Sequence, residues 1–292
     1  MNPRASVIVP TCNRVDALIR LLDALDRQTV RRDQFEVIVI DDGSTDRTPE
    51  VLATRPHVLS ARQPNQGPGL ARNHGVDRAS GALLVFVDDD CVPDERWLQR
   101  MLEAEERAAT DVAGFGGEIQ PLCRGFLADF VQAERLVDHS PLAGDPSGLR
   151  YVVTANAAFR GPAFRAVAGF DAGMTTAGED VDLSLRIRAH GHRLLRVPDA
   201  KVHHAHPTSL ERLLRIYRRS GGARVRLASR HAAMGLDAGA GQLLSLGAWR
   251  FRIADYRSAG APAWRIPVYL VLRTVCLLAF AYGVLEARVG KR

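Results

Sequence analysis

Three carboxylates stand in a row at Asp88, Asp89 and Asp90, directly after the apolar run Leu83 to Val87. Adjacent carboxylates repel one another, and a bound cation relieves the repulsion. Hard oxygen ligands favour Mg2+ or Mn2+, and Mg2+ is commonly held by one or two carboxylates together with substrate phosphates. A second acidic pair, Asp41 and Asp42, closes another apolar run, Phe35 to Ile40. That repetition weighs against a merely solvated turn. A third pair, Glu179 and Asp180, opens a stretch with helical spacing in Val181, Leu185 and Ile187. Alone, this pair reads as charge compensation at a helix start. His203, His204 and His206 add imidazoles, of which His204 and His206 share a face if the segment is extended. No cysteine or carboxylate cluster of suitable spacing accompanies them, which disfavours structural zinc.

These side chains need a scaffold that brings them together. Ser6 to Val9, Phe35 to Ile40 and Leu83 to Val87 are strand-like runs. Between them lie helical patterns in Leu18, Leu21, Leu22 and Leu25, and in Leu70 to Ala79 behind the Gly67, Pro68, Gly69 turn. The alternation predicts an α/β domain with a mainly parallel twisted sheet flanked by helices. Open α/β sheets take their ligands beyond the carboxyl ends of the strands. Pro10, Thr11, Asp41, Asp42 and Asp88 to Asp90 should therefore converge on one crevice. Val51 to Leu59 reads as a weaker helix or strand. Gly114 to Glu118 and Arg150 to Ala155 read as strands around a helical Phe126 to Val137, with Asp138 to Gly148 a loop. Leu194 to Val197 and Lys201 to Ala205 suggest two short strands after a helix stopped by Gly191.

The phosphate loops of other nucleotide enzymes are missing, because neither GxxxxGK[ST] nor GxGxxG occurs. Of 292 residues, 46% are hydrophobic and 25% charged, which excludes a disordered or fibrous chain. The net charge of +6 is unevenly placed. His203 to Arg292 holds 15 basic and 4 acidic side chains, leaving −5 for the preceding residues. From Leu210 onward, an apolar helical stripe of Leu210, Leu213, Leu214 and Tyr217 runs among arginines from Arg212 to Arg230. Only one aromatic interleaves those arginines, which disfavours nucleic acid. Ile266 to Leu285 is apolar except for Arg273 and Thr274, and an arginine at mid-span would cost about 2.5–3.5 kcal/mol. A helix lying in the membrane interface or packed on the body is expected rather than a full span. The division expected is a catalytic domain over 1–209 and a basic, apolar, membrane-associating helical extension over 210–292. Four scattered cysteines without a CxxC pair, and a start that runs straight into a strand, point to a cytoplasmic protein on the inner membrane face.

The stretches SVIVPTCNR, VIVIDDGSTD, NQGPGLARNHGV, LLVFVDDDCVPDERWL, GFDAGM and GEDVDLSLRIRAHGHRLLRVPDAKVHHAHP together resemble glycosyltransferase family 2, in that family's order over residues 4 to 210. The resemblance implies a GT-A type fold, a nucleotide-sugar donor (most often a UDP-sugar), Mg2+ or Mn2+, and transfer with inversion. Position by position, it implies that Asp90 holds the metal and Asp88 lies nearer the ribose and diphosphate. Asp42, with Asp41 a close alternative, matches the residue that reads the base, while Pro10, Thr11 and Arg72 match the lining of the nucleotide pocket. His204 matches a metal or diphosphate ligand. Glu179 and Asn156 match the acceptor side, and Asp180 matches the general base. The acceptor implied is a lipid-linked or cell-envelope glycan, or another hydroxyl compound. A nucleotidyltransferase of the same fold class is a competing reading, but VPTCNRVDAL supplies no Gly- and Lys/Arg-rich triphosphate loop. A noncatalytic glycan- or nucleic-acid-binding module is another, against which the intact acidic motifs argue.

Overall fold

The computed structural model describes residues 3–174, 177–232 and 246–290. The chain divides into two compact units. The first comprises Met1–Leu122, Asp138–Thr175 and Glu179–Ala205; the second contains Cys123–Val137 and His206–Arg292.

The first unit is built on one mixed sheet. β1 (Ala5–Thr11) is buried at all seven positions, and its largely apolar run suits a strand inside the sheet. β2 (Phe35–Asp41) and β4 (Leu83–Val87) flank it in parallel, and β3 (Leu59–Arg62) lies outside β2. α1 (Val15–Asp26) turns Leu18, Leu21, Leu22 and Leu25 inward, as its spacing requires. α2 (Thr48–Ala53) precedes β3, so the Val51 to Leu59 stretch holds a helix end and a strand start. α3 (Pro68–Val76) packs so closely that a Cβ on Gly75 would sit 2.5 Å from Ile8 Cγ2.

Beyond β4 the sheet order continues β9-β6-β10-β8-β7, with β5 (Cys91–Pro93) pairing β10. α4 (Trp97–Arg107) buries Trp97, Leu98 and Met101, the core role expected of this helix. β6 (Val112–Pro121) is longer than its expected core. Several expectations are corrected here. The segment 138–148 is not an open loop, because β7 (Ser140–Leu142) and β8 (Asp145–Tyr151) form an antiparallel hairpin around Gly144 at φ +81. The strand expected at 150–155 begins later, as β9 (Asn156–Arg160), antiparallel to β4 and β6. The two short strands near the histidines are one strand, β10 (Arg193–His204), with a register shift between Val197 and Lys201 that lets it bend around Pro198. α6 (Gly161–Ala166) follows β9, and α7 (Glu179–Ala189) ends before Gly191 at φ +85, the expected stop.

The second unit is helical. α5 (Phe126–Glu134), α8 (Leu210–Arg230), α9 (Leu246–Ser258) and α10 (Arg265–Val289) gather around Phe130, Tyr217, Tyr256 and Tyr269. α8 and α10 approach backbone to backbone. A Cβ on Gly221 would lie 2.1 Å from the Phe280 carbonyl oxygen, and one on Gly283 would lie 1.9 Å from that of Arg218. Arg273 turns inward, where it pairs with buried Glu134, which also accepts the Tyr256 hydroxyl. α10 is long and apolar enough to cross a membrane, the one such helix among the described residues.

Candidate functional site

The parallel strands carry their acidic ends to one edge of the first unit. Thr11 stands opposite Asp41 in the β1–β2 register, and the Asp42 amide donates to the Thr11 carbonyl at 2.8 Å. β4 runs beside β1 and releases Asp88 to Asp90 at the same edge. Direct contacts show this convergence, since the Thr11 hydroxyl donates to Asp89 at 2.8 Å. Pro10 is buried within β1, opposite Ile40.

The three adjacent aspartates are handled differently. Asp89 is 4% exposed, and burial is the main influence lifting its carboxyl to about 6, with Arg14 pulling it down. Arg14, at the start of α1, bridges Asp89 at 2.9 Å and Asp90 at 2.7 Å. Asp90 Oδ1 also faces His204 Nε2 at 3.4 Å, because β10 pairs with β5 immediately after the aspartates. Asp88 is the most open of the three and meets Arg72 at 2.6 Å. Asp89 thus ties β1, α1 and β4 together, while Asp88 and Asp90 flank it.

Arg72 links the two acidic motifs. It is 3% exposed on α3, and its second terminal nitrogen reaches Glu179 at 2.9 Å. Burial opposes its charge, but Asp88 and Glu179 more than reverse that, so the guanidinium stays ionised. The Phe170 ring lies 5.6 Å from it, held by a reciprocal pair of hydrogen bonds between the Asn73 amide and the Phe170 backbone at 2.8 and 2.9 Å. Asp180, next to Glu179, is partly buried. Desolvation, then the Glu179 charge, push its carboxyl up to about 7, against the pull of Arg72. One of its oxygens accepts the Val181 amide at 2.8 Å.

The Asp41–Asp42 pair also divides its work. Asp42 accepts Gln63 Nε2 at 2.8 Å and the amides of Gln66 and Gly67 at 2.9 Å each, so it holds the loop that enters α3. Gly67 sits at φ +92, a conformation side chains rarely take. Asp41 is 2% exposed and receives the Ser44 amide at 2.8 Å through Oδ1. Its buried Oδ2 accepts no hydrogen bond and faces Arg62 Nε at 3.5 Å.

Asn156, expected on the acceptor side, lies inside the sheet scaffold. It is fully buried, accepts the Trp97 indole N–H at 2.8 Å, and donates to the carbonyls of Glu118 at 2.8 Å and Ala200 at 2.9 Å. Its amide is committed to the scaffold between β9, β6, α4 and β10. The histidines also separate. His203 pairs with Asp94 at 2.9 Å, while His206 lies past the strand in the second unit, with Nε2 3.0 Å from Gln132.

Sequence reasoning missed Arg14 and the neighbouring Asn13. Asn13 takes φ +54, and its side-chain oxygen accepts the Thr45 amide at 2.7 Å, joining the loops after β1 and β2. The available signal was the polar CNR segment directly after a buried strand, where ligand loops belong.

The donor set for a cation is short. Among the described residues no group of three or more His, Cys, Asp or Glu side chains is arranged to hold a metal. Asp90 and His204 supply a carboxylate and an imidazole side by side. This fits an ion that takes its remaining ligands from water and a substrate diphosphate, as Mg2+ and Mn2+ do.

Comparison with known proteins places this geometry in context. The profile of "Glycosyl transferase family 2" matches residues 6–126, and that of "Glycosyl transferase family group 2" matches residues 83–285. Validoxylamine A glucosyltransferase of Streptomyces hygroscopicus subsp. jinggangensis is 30% identical over 247 residues, covering 71% of this chain and 58% of that protein. Succinoglycan biosynthesis protein ExoO of Rhizobium meliloti is 31% identical over 228 residues, covering 73% of this chain and 64% of that protein. The chain thus spans less than two thirds of the length of these relatives. Among solved structures, the mannosyltransferase PcManGT from Pyrobaculum calidifontis, in complex with GDP-Man and Mn2+, superposes with a TM-score of 0.67 at 19% identity, covering 100% of this chain and 89% of that one. S. aureus TarS 1-349 in complex with UDP-GlcNAc gives 0.57 at 18% identity, covering 99% and 92%. At such identities the likeness concerns the fold, which is of the GT-A type.

Proposed function

The chain belongs to glycosyl transferase family 2, and on that premise we propose that it moves a sugar from a nucleoside diphosphate to a hydroxyl of a glycan or lipid-linked acceptor, inverting the anomeric carbon. The observation that carries the reading is the Arg72 bridge, which ties Asp88 on the donor side to the helix start bearing Asp180. An inverting displacement needs a carboxylate that removes the acceptor proton as the hydroxyl attacks opposite the leaving group. Asp180, with its carboxyl near 7, is that base, able to take a proton at neutral pH.

The remaining residues bind and orient. Asp41, whose Oδ2 faces Arg62, reads the base, while Asp42 shapes the loop around it. Thr11 and Pro10 form the floor beneath the nucleotide. Arg72 holds Asp88 in place toward the ribose and diphosphate. Asp90 and His204 would hold Mg2+ or Mn2+, which would supply positive charge for the diphosphate leaving group. Glu179 orients Arg72 and borders the acceptor. Since PcManGT is described with GDP-Man and TarS with UDP-GlcNAc, both bases belong in a donor screen, with UDP-sugars first. The test is proton NMR of the sugar released or transferred in the presence of Mn2+: an initial product of inverted anomeric configuration supports the reading, and a retained configuration overturns it.

A further inference from the structure

The second unit presents a surface of its own. One face of α10 is pinned at both ends. Arg265 pairs with Asp129 of α5 at 2.9 Å, and Glu286 pairs with Arg218 of α8 at 2.7 Å. Between these ends, Arg273 is buried on Glu134, and Gly283 lies against the α8 backbone. A membrane-crossing α10 would drag this polar network and the arginine-rich α8 into hydrocarbon. The helix is therefore held along the unit rather than across a bilayer.

Its other face is apolar and uncovered among the described residues. Trp264, Val268, Val271, Val275, Leu278, Tyr282, Leu285 and Val289 are each 39–69% exposed. They recur at intervals of four and three, so they form a single stripe along the helix. Such a contiguous apolar strip marks an interaction surface. Beside its C-terminal half, α8 and α10 border a groove of about 540 Å³ whose lining includes Arg215, Arg218, Arg219 and Arg226, with Glu286 the one acid among the described lining residues; Arg215 also pairs with Glu211 beside it. Groove and stripe are joined, because the Arg218 guanidinium lies 5.1 Å from the ring of Tyr282.

We infer that this face docks on an anionic phospholipid surface, with α10 lying flat, its stripe among the acyl chains and lipid phosphates seated in the arginine groove. An apolar strip bordered by a cationic groove is the complement of an anionic lipid layer. A second copy of the chain is a poorer fit, since pairing along the stripe would bring two arginine arrays together.

The test uses the full chain and co-sedimentation with phosphatidylcholine vesicles, with and without about one third phosphatidylglycerol. Binding should be at least about tenfold tighter to the anionic vesicles and reversed by about 0.5 M NaCl. Replacing three groove arginines together (Arg215→Gln, Arg219→Gln, Arg226→Gln) should weaken it about a hundredfold, at about 1 kcal/mol per arginine. The triple change Val271→Ser, Leu278→Ser, Leu285→Ser should abolish it while leaving the far-UV circular dichroism unchanged. If that variant fails to fold, the arginine variant still decides. Equal binding to neutral vesicles, bound protein that only detergent releases, or a stripe-dependent dimer that ignores both vesicle types overturns the inference.

Discussion

Arg72 and Glu179 meet at 2.9 Å across 107 positions of sequence. The contact joins α3, which packs on β1 and β2, to the start of α7. Because the same guanidinium holds Asp88 at 2.6 Å, one buried cation organises carboxylates from two separate motifs. Removing it should cost more than one interaction.

Arg72→Met leaves Asp88 and Glu179 without their shared counter-charge, and breaking a buried pair in this way costs about 3–5 kcal/mol. Urea unfolding should show that loss. Arg72→Lys should recover the charge but only part of the stability, because an ammonium cannot reproduce the two-pronged contact. Equal stability of Arg72→Met and wild type would show that the bridge does not organise the site.

Asn156 separates scaffold from acceptor. Asn156→Ala strips partners from the Trp97 indole and the carbonyls of Glu118 and Ala200, each costing about 1–3 kcal/mol if left unsatisfied. The expected signature is a lower melting temperature with an unchanged KM for acceptor. A raised acceptor KM at unchanged stability would restore the acceptor role expected for it.

The pH dependence has opposite signs for activity and stability. Asp180's carboxyl near 7 in the folded chain lies above its unfolded value of about 3.9. The folded state therefore holds the proton more tightly, and the stability contributed is full below the unfolded value and lost as pH rises through 7. Asp180→Asn should remove this loss, making the variant more stable than wild type at about pH 8 but not at about pH 4. For wild type, kcat/KM should climb with pH and level off above about 7, where the base is ionised. A profile flat from pH 5 to about pH 8 would exclude Asp180 as the titrating base.

Asp41 and Asp42 should be distinguishable by base preference. Thermal-shift titration with UDP and GDP in Mn2+ should show that Asp41→Ala narrows the difference between the two ligands. Asp42→Ala should instead weaken both together, since it releases the loop at Gln63 to Gly67. The reverse pattern would return base reading to Asp42.

The parts of the fold legible in sequence are those governed by burial along a strand. β1, β2 and β4 are largely apolar runs, and their ends at Thr11, Asp41 and Asp88 lie at one edge of the sheet, as the alternation predicts. The β7–β8 hairpin is hidden because Pro141, Gly144, Pro146 and Gly148 read as loop, whereas Pro141 pairs with Leu149 across the turn at Gly144 and β8 pairs in turn with distant β10. β10 was split in two because Pro198 and Asp199 lie at its register shift, and local signals cannot show that both halves pair with β6. At the site, residue types identified the acids but not their division of labour. The separate tasks of Asp88, Asp89 and Asp90 depend on Arg72, Thr11, Arg14 and His204, all of which are remote in sequence. The burial of Asn156 is hidden for the same reason, its Trp97 partner lying 59 positions away.

The most direct measurement of the central claim is nucleoside diphosphate release from a nucleotide sugar with acceptor and Mn2+, compared between wild type and Asp180→Asn, with donor affinity measured in parallel. Asp180→Asn should bind donor as wild type does but turn over about a thousandfold more slowly, within the range a lost general base produces. Asp180→Asn turning over donor at the wild-type rate would contradict it.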